Sequence, residues 1–349
     1  MSSIDWRDPA REDVIHFQMV SQNNLDEVYG DLTDVQLGSS SITYGYYTDT
    51  RYSSGISFLK SNNYVENAWV RIIHEVPAKD YVMELGTFIP TAPKENRNGV
   101  TSTIVSLDLQ SPLWGLKDDL TTSKFSIGKN TSLIDAFKQV CKTCNRPYIL
   151  NNPHKVNTTN SIVYDVGESY LDILFDLCDK TDNRIDLDGH GRIVLSPTVD
   201  HSSATPMWTL DYDDPRSMII EGSIKKESGI DDLENRIIVV NGSIVGVSDI
   251  PNGYIFSRHQ RGYTKAKKYS DSSATTKAKA EKIAKQLLDS SSLNVQWTMD
   301  CLYFPCSCGE NVTFILDGEK HYCMIQSIDP LNLETMTISL TLKEVDYDG

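Results

Sequence analysis

The chain has 349 residues, room for two or three compact domains, and its 39% hydrophobic and 23% charged residues fit a globular protein rather than a disordered or membrane-embedded one. No apolar run approaches the ~20 residues of a membrane helix, and the acidic opening MSSIDWRDPARED lacks the basic-then-apolar layout of a signal peptide, so synthesis in the cytoplasm is expected. A net charge of −15 argues against wrapping nucleic acid, and seven cysteines, an odd number, read as reduced and partly buried thiols.

Three blocks follow in chain order. Residues 1–118 alternate β-branched and aromatic residues with polar turn clusters. Strands are predicted over 35–49, 52–60, 68–76, 81–89 and 101–109, punctuated by Pro77, Gly86, Pro90, Pro93 and the Asn96-to-Gly99 run. Several short strands in succession predict a closed or nearly closed antiparallel barrel.

Residues 119–200 change character. SLIDAFKQVCKTC (132–144) places Leu133, Ala136, Phe137, Val140 and Cys141 at helical spacing, with Thr131 or Ser132 as the N-cap. SYLDILFDLCDKT (169–181) repeats the design with Leu171, Leu174, Phe175 and Cys178. Each helix is followed by Asn-Arg and an extended run, RPYIL (146–150) and RIDLD (184–188), which makes this a duplicated helix–strand unit. Residues 201–349 return to β patterning, with strands predicted in 207–211, 236–247, 295–304, 311–316, 321–329 and 335–345. One helix over about 275–289 interrupts them, with Ala280, Ile283, Ala284, Leu287 and Leu288 on one face and lysines mainly on the other. The fold class is therefore α+β, mostly β: two antiparallel β-barrel-like domains, 1–118 and 201–349, flank a small inserted α/β domain, 119–200.

In this order of pieces the chain resembles the tail-hub proteins of phages, the family of the contractile baseplate hub and of the N-terminal region of tail-associated lysins. Four passages carry the likeness: SITYGYYTDTRYSSGISFLK (41–60), the run 102–141 leading into the first inserted helix, the second helix with its RIDLDGHGRIVLSP hairpin (184–197), and 234–242 followed by 261–288 and the closing ISLTLKEV (338–345). The resemblance implies a virion structural protein, a homotrimer whose barrel domains form a pseudo-sixfold ring at the tail tip around the DNA exit channel. The implied partners are a distal tail or tail tube protein, the tape measure protein, and a spike, fibre or lysin, with the genome passing through the lumen unbound. Many relatives continue into a peptidase, fibre or receptor-binding region, whereas this chain ends at Gly349 after the last predicted strand. An enzymatic or adhesive role is then expected of another polypeptide.

Site candidates are few. Cys141-Lys-Thr-Cys144 has redox or zinc spacing, and Cys178 with His154 or His190 would complete a ligand set. Against that, Cys141 and Cys178 hold equivalent inward positions in the two helices, and the second half of a zinc pattern is missing, so core packing is the preferred reading. Cys301 and Cys323 fall in predicted strands that could be neighbours, so a disulfide or metal site there, with Cys306 and Cys308 nearby, competes with reduced thiols. Asp186, Asp188, Gly189 and Gly191 hint at a calcium loop but lack its later acidic ligands; a hairpin turn accounts for them. Lys277, Lys279, Lys282 and Lys285 read as a solvated helix face or as a basic patch docking an acidic neighbour. The chain has no HExxH, GxSxG or Walker A motif, so no catalytic residue and no cofactor is expected. The competing functions are a tail-associated cell-wall hydrolase and a receptor-binding tail protein, the latter suggested by 17 tyrosines and five tryptophans.

Overall fold

The computed structural model describes residues 4–8, 10–60, 64–98, 102–228, 234–253, 257–271, 274, 276–292 and 295–345. Gly99, Thr101, Thr275 and Gly349, which bound predicted elements, lie outside them. The chain begins with seven strands, β1 (Val14–Val20), β2 (Val28–Asp31), β3 (Ser41–Gly45), β4 (Tyr52–Leu59), β5 (Trp69–Val76), β6 (Tyr81–Asn98) and β7 (Ser102–Gln110). Next come α1 (Trp114–Asp118), β8 (Phe125–Ile127), α2 (Leu133–Thr143), β9 (Tyr148–Leu150), β10 (Ile162–Tyr164), α3 (Tyr170–Thr181), β11 (Asn183–Leu187) and β12 (Ile193–Pro197). The remainder holds β13 (Trp208–Asp211), β14 (Lys225–Ser228), β15 (Arg236–Asn241), β16 (Ile244–Asp249), α4 (Arg258–Arg261), β17 (Ala266–Ser270) and α5 (Lys277–Ser292). It closes with β18 (Val295–Leu302), β19 (Asn311–Leu316), β20 (Glu319–Asn332) and β21 (Thr337–Glu344). Strand residues at 45% against 15% helix make the fold mostly β.

Contacts group the chain into two units. The first takes residues 1–200, 301–309 and 326–339; the second takes 201–300, 310–325 and 340–349.

In the first unit an antiparallel sheet runs β3–β4–β7–β6–β5–β1–β2, and residues 327–332 of β20 pair with β3. Alternation decides which side each strand buries. Tyr52, Ile56 and Phe58 of β4 and Val105, Leu107 and Leu109 of β7 point inward, while Ser106 and Asp108 between them do not. The strand β5 is covered on both faces: every residue but Ile73 and Glu75 is buried, the polar Arg71 and His74 included. The sheet is an open path ending at β2, and the expected closed barrel is not formed among the described residues. Strand β6 changes partner along its length: residues up to Phe88 pair with β5 and those from Ile89 on pair with β7, with a bulge in the second ladder between Thr91 and Lys94. Ala92 at φ 46 turns the backbone there, and Pro93 occupies the bulge, where a missing N–H costs no ladder bond. The strand therefore continues through the two prolines that were expected to end it. Another expected strand, 35–49, shrinks to β3, because Leu37–Ser39 forms a 3-10 turn.

The same unit contains the duplicated segment. Helices α2 and α3 share one core with the strands beneath them, including Leu133, Phe137, Val140, Leu174, Ile185 and Leu195. Beneath them β11–β12–β9 form a small sheet, with β12 antiparallel to β11 and parallel to β9. Ser132 is the N-cap residue of α2, without a side-chain cap bond, whereas Ser169 caps α3 by accepting from the Asp172 N–H.

In the second unit β13 pairs with β19, β19 with residues 319–324 of β20, and β14 with β18. A separate sheet, β16–β15–β17, carries α5 on one side. Residues 236–247, expected as one strand, form the β15–β16 hairpin because Gly242-Ser243, between the paired Asn241 and Ile244, supplies its turn with Gly242 at φ +58. Ala280, Ala284 and Leu288 bury the helix face against Ile237 and Val239. The approach is close: a Cβ on Gly246 of β16 would lie 2.2 Å from the Ala280 backbone carbon.

Candidate functional site

Two concavities of the first unit bring together groups from separate elements. One is a cavity of about 260 Å³ lined by Tyr44, Tyr52, Glu84, Arg184, Tyr303 and Cys308 among others. Its charged and hydroxyl groups are engaged internally. Arg51 donates to the carbonyls of Ile185, Tyr46 and Thr48, and Arg184 pairs with Asp186 at 2.7 Å while stacking 3.9 Å over Tyr46. Tyr44 and Tyr52 donate to the carbonyls of Leu85 and Thr87. Burial pushes the Cys308 thiol up to about 12, which leaves it protonated at neutral pH. These interactions lock the β11–β12 hairpin to the β-sheet rather than prepare a nucleophile.

The other concavity is a cleft of about 600 Å³. The loop Gln22–Asp26 forms one wall, α2 and its exit from Asp135 to Tyr148 a second, and His190 and Arg192 of the hairpin a third. Arg71 of β5 and Thr87 of β6 brace these walls from below. Arg71 Nη2 donates to the Leu25 carbonyl at 2.6 Å and its Nε to Thr87 Oγ1 at 3.2 Å; Thr87 Oγ1 in turn donates to the Gly189 carbonyl at 2.8 Å. Gly189 fits because a Cβ there would stand 2.6 Å from the Glu84 carbonyl oxygen. Asp188 closes the hairpin turn, accepting from the Arg192 backbone N–H and from Arg192 Nε, which is the turn role expected for the Asp-Gly-His-Gly run.

The cysteine candidates are not gathered into a metal centre: among the described residues no group of three or more His, Cys, Asp or Glu side chains has ligand geometry. Cys141 and Cys178 are packed inside the α2–α3 core, and burial pushes both thiols up to about 12. Cys144 is pushed to about 12 by burial and by Asp119. His154 is exposed on a loop with Nδ1 near the Asp182 carbonyl, and His190 lies beside Glu84. Cys301 is buried in the first unit and Cys323 in the second, and no disulfide joins cysteines among the described residues. Lys277, Lys279, Lys282 and Lys285 are all exposed on α5, where Lys277 pairs with Glu281 at 3.6 Å.

Sequence reading gave no role to Arg146, Arg184 or His74, although Asn-Arg after each helix was visible as a repeat. Arg184 and Arg146 occupy that repeated position and sit in the two different concavities.

No family model matches the chain, and no curated protein does. Solved structures do. The tail protein from Neisseria meningitidis MC58 superposes with a TM-score of 0.69 at 15% identity, covering 95% of this chain and 96% of that one. The 43 kDa tail protein of prophage MuSo2 from Shewanella oneidensis gives 0.68 at 12% identity, covering 95% and 98%. A third match is the E. coli c3393 protein, a component of the type VI secretion system described as structurally similar to the T4 bacteriophage tail proteins gp27 and gp5. It gives 0.52 at 10% identity, covering 90% and 74%. Over 95% of its length, the chain has the fold of these two tail proteins.

Proposed function

We propose that this protein is a structural subunit of a phage tail, a hub at the tail tip that assembles as a homotrimer. One observation carries the reading: two tail proteins share the fold over nearly their whole length, not over a common module alone. The trimer would join the tail tube or distal tail ring to a spike, fibre or lysin and surround the DNA exit channel. An acidic balance of −15 suits a channel wall to which a polyanion should not adhere. The role is non-catalytic, a reading supported by the internal hydrogen bonds that engage the arginines and tyrosines of the enclosed cavity.

Mass measurement of the purified chain, alone and co-expressed with its tail tube protein, tests the assembly. A trimer that joins the tube is expected; a monomer under all conditions, absent from the virion, would overturn the proposal. The exposed lysines of α5 are proposed as one docking face. Replacing Lys277, Lys279, Lys282 and Lys285 with Gln should weaken ring formation, and unchanged assembly removes that face from the account.

A further inference from the structure

The duplicated helix–strand unit provides an internal comparison. Arg184, after α3, has its counter-ion two residues on in Asp186 and lies over Tyr46. Arg146, after α2, lies over an aromatic ring in the same way, 5.1 Å above Trp69, but the residue two positions on is Tyr148. Arg146 has no carboxylate within ion-pair distance among the described residues, and its Nε is buried without a hydrogen-bond partner. Burial holds its guanidinium below the usual arginine range, with Cys144 and Asp119 acting in the opposite direction. A desolvated cation with unused N–H donors is unfavourable unless an acceptor arrives from elsewhere.

Its surroundings point the same way. Lys142 lines the same cleft and has no ion-pair partner among the described residues, whereas Lys138 is taken by Asp135 and Arg192 by Asp188. His190 Nδ1 is also buried without a hydrogen bond, since Glu84 Oε1 at 3.1 Å lies within ion-pair reach but lacks hydrogen-bond geometry. Two of the three buried side-chain atoms without a hydrogen-bond partner among the described residues thus belong to residues lining one cleft, although His190 Nδ1 has Glu84 within ion-pair reach. The Arg71–Thr87–Gly189 chain fixes two of its walls in advance, so binding would require little reorganisation.

We propose that this cleft is a carboxylate-binding site that takes an acidic, extended segment of another polypeptide. Arg146 is the fork that receives the carboxylate, and Lys142 is the second cation. A peptide is favoured over nucleic acid because the cleft offers only two uncompensated cations and also carries Asp26 and Asp135, which a continuous phosphate backbone would meet. The site stands on its own geometry, while naming the partner as a neighbouring tail subunit rests on the tail reading.

The test titrates the full chain into a fluorescein-labelled Gly/Ser peptide bearing several glutamates, with its glutamine counterpart and a single-stranded oligonucleotide as separate probes. The glutamate peptide should bind and the glutamine peptide should not. Arg146→Gln should weaken binding roughly ten- to a hundredfold, the scale of a lost charged hydrogen bond. Lys142→Gln, on an exposed residue, should weaken it several-fold, and Lys129→Gln, on an exposed residue outside the cleft, should leave it unchanged. Because Arg146 has no ion-pair partner among the described residues and only its stacking on Trp69 to lose, Arg146→Gln should lower the melting temperature little. Equal binding by wild type and Lys142→Gln, a lowered melting temperature in Arg146→Gln with binding retained, or Arg146-dependent binding of the oligonucleotide alone would each overturn the proposal. Any of these would leave the assembly measurement untouched.

Discussion

Nε2 of His74 lies 2.6 Å from Oδ1 of Asp13, tying the middle of β5 to the residue just ahead of β1. His74 is fully buried, and Arg11 Nε reaches the same carboxylate at 2.9 Å. With the ring proton on Nε2, the unpartnered Nδ1 is a lone pair rather than a bare N–H. Burial pushes the Asp13 carboxyl up, but hydrogen bonds from His74 and Arg11 and the charge of Arg11 outweigh it and hold the group below its usual 3.8. A carboxyl depressed in the folded state stabilises fully above its unfolded value and loses that contribution as pH falls through the folded one. Asp13→Asn should therefore cost about 1–3 kcal/mol at neutral pH. The deficit should close on acidification below the ordinary carboxyl range, as read from urea unfolding at both pH values.

Gly246→Ala should destabilise by about 1–3 kcal/mol or more, the cost of overpacking against an unyielding neighbour. The new Cβ meets helix backbone, at 2.2 Å from the Ala280 carbonyl carbon, and backbone cannot swing aside. Gly253→Ala, with nothing within 4 Å, is the control and should unfold at the wild-type denaturant midpoint.

Thr87→Val should cost about 1–3 kcal/mol by leaving a buried guanidinium N–H and a carbonyl without their partner. The hydroxyl it removes links Arg71 to Gly189. Thr87→Ser keeps that link and should lose markedly less in the same denaturation experiment.

The Cys141 and Cys178 thiols, pushed up to about 12 by burial, should resist alkylation in the native state at neutral pH. Mass spectrometry after iodoacetamide treatment should find both modified only in denaturant. Added zinc should leave the melting temperature unchanged.

The sequence was most readable where one period dominated. The α2 and α3 cores follow from a 3.6-residue spacing, and Ala280, Ala284 and Leu288 of α5 lie on the face that the same spacing marks. Strands with mixed environments were harder to read. Lys267 and Lys268 make β17 look like solvated chain, yet it pairs in parallel with β15, because backbone hydrogen bonds do not register in side-chain polarity. Pro90 and Pro93 imply a strand end unless a bulge is known to receive one of them. The cleft was invisible for a different reason: the Gln22–Asp26 loop, the Lys142–Arg146 exit of α2 and His190 are separated along the chain, and only tertiary packing leaves one guanidinium without its carboxylate. The Asn-Arg repeat was the available signal, and its value lay in the aspartate that follows Arg184 and is missing after Arg146.

The first unit is assembled from three separate stretches of chain, the last being residues 326–339. Strand β3 pairs with β4 on one side, and its other side is paired only by residues 327–332, far along the chain. During translation roughly three hundred residues emerge before that pairing can form, so the β3 side of the sheet stays bare on the ribosome until then. Contacts between such distant stretches make for slow folding, and shortening the chain before residue 326 would take strands from both units at once. The two units are thus a single heritable and expressible piece: they cannot be cloned apart by cutting the gene at one point.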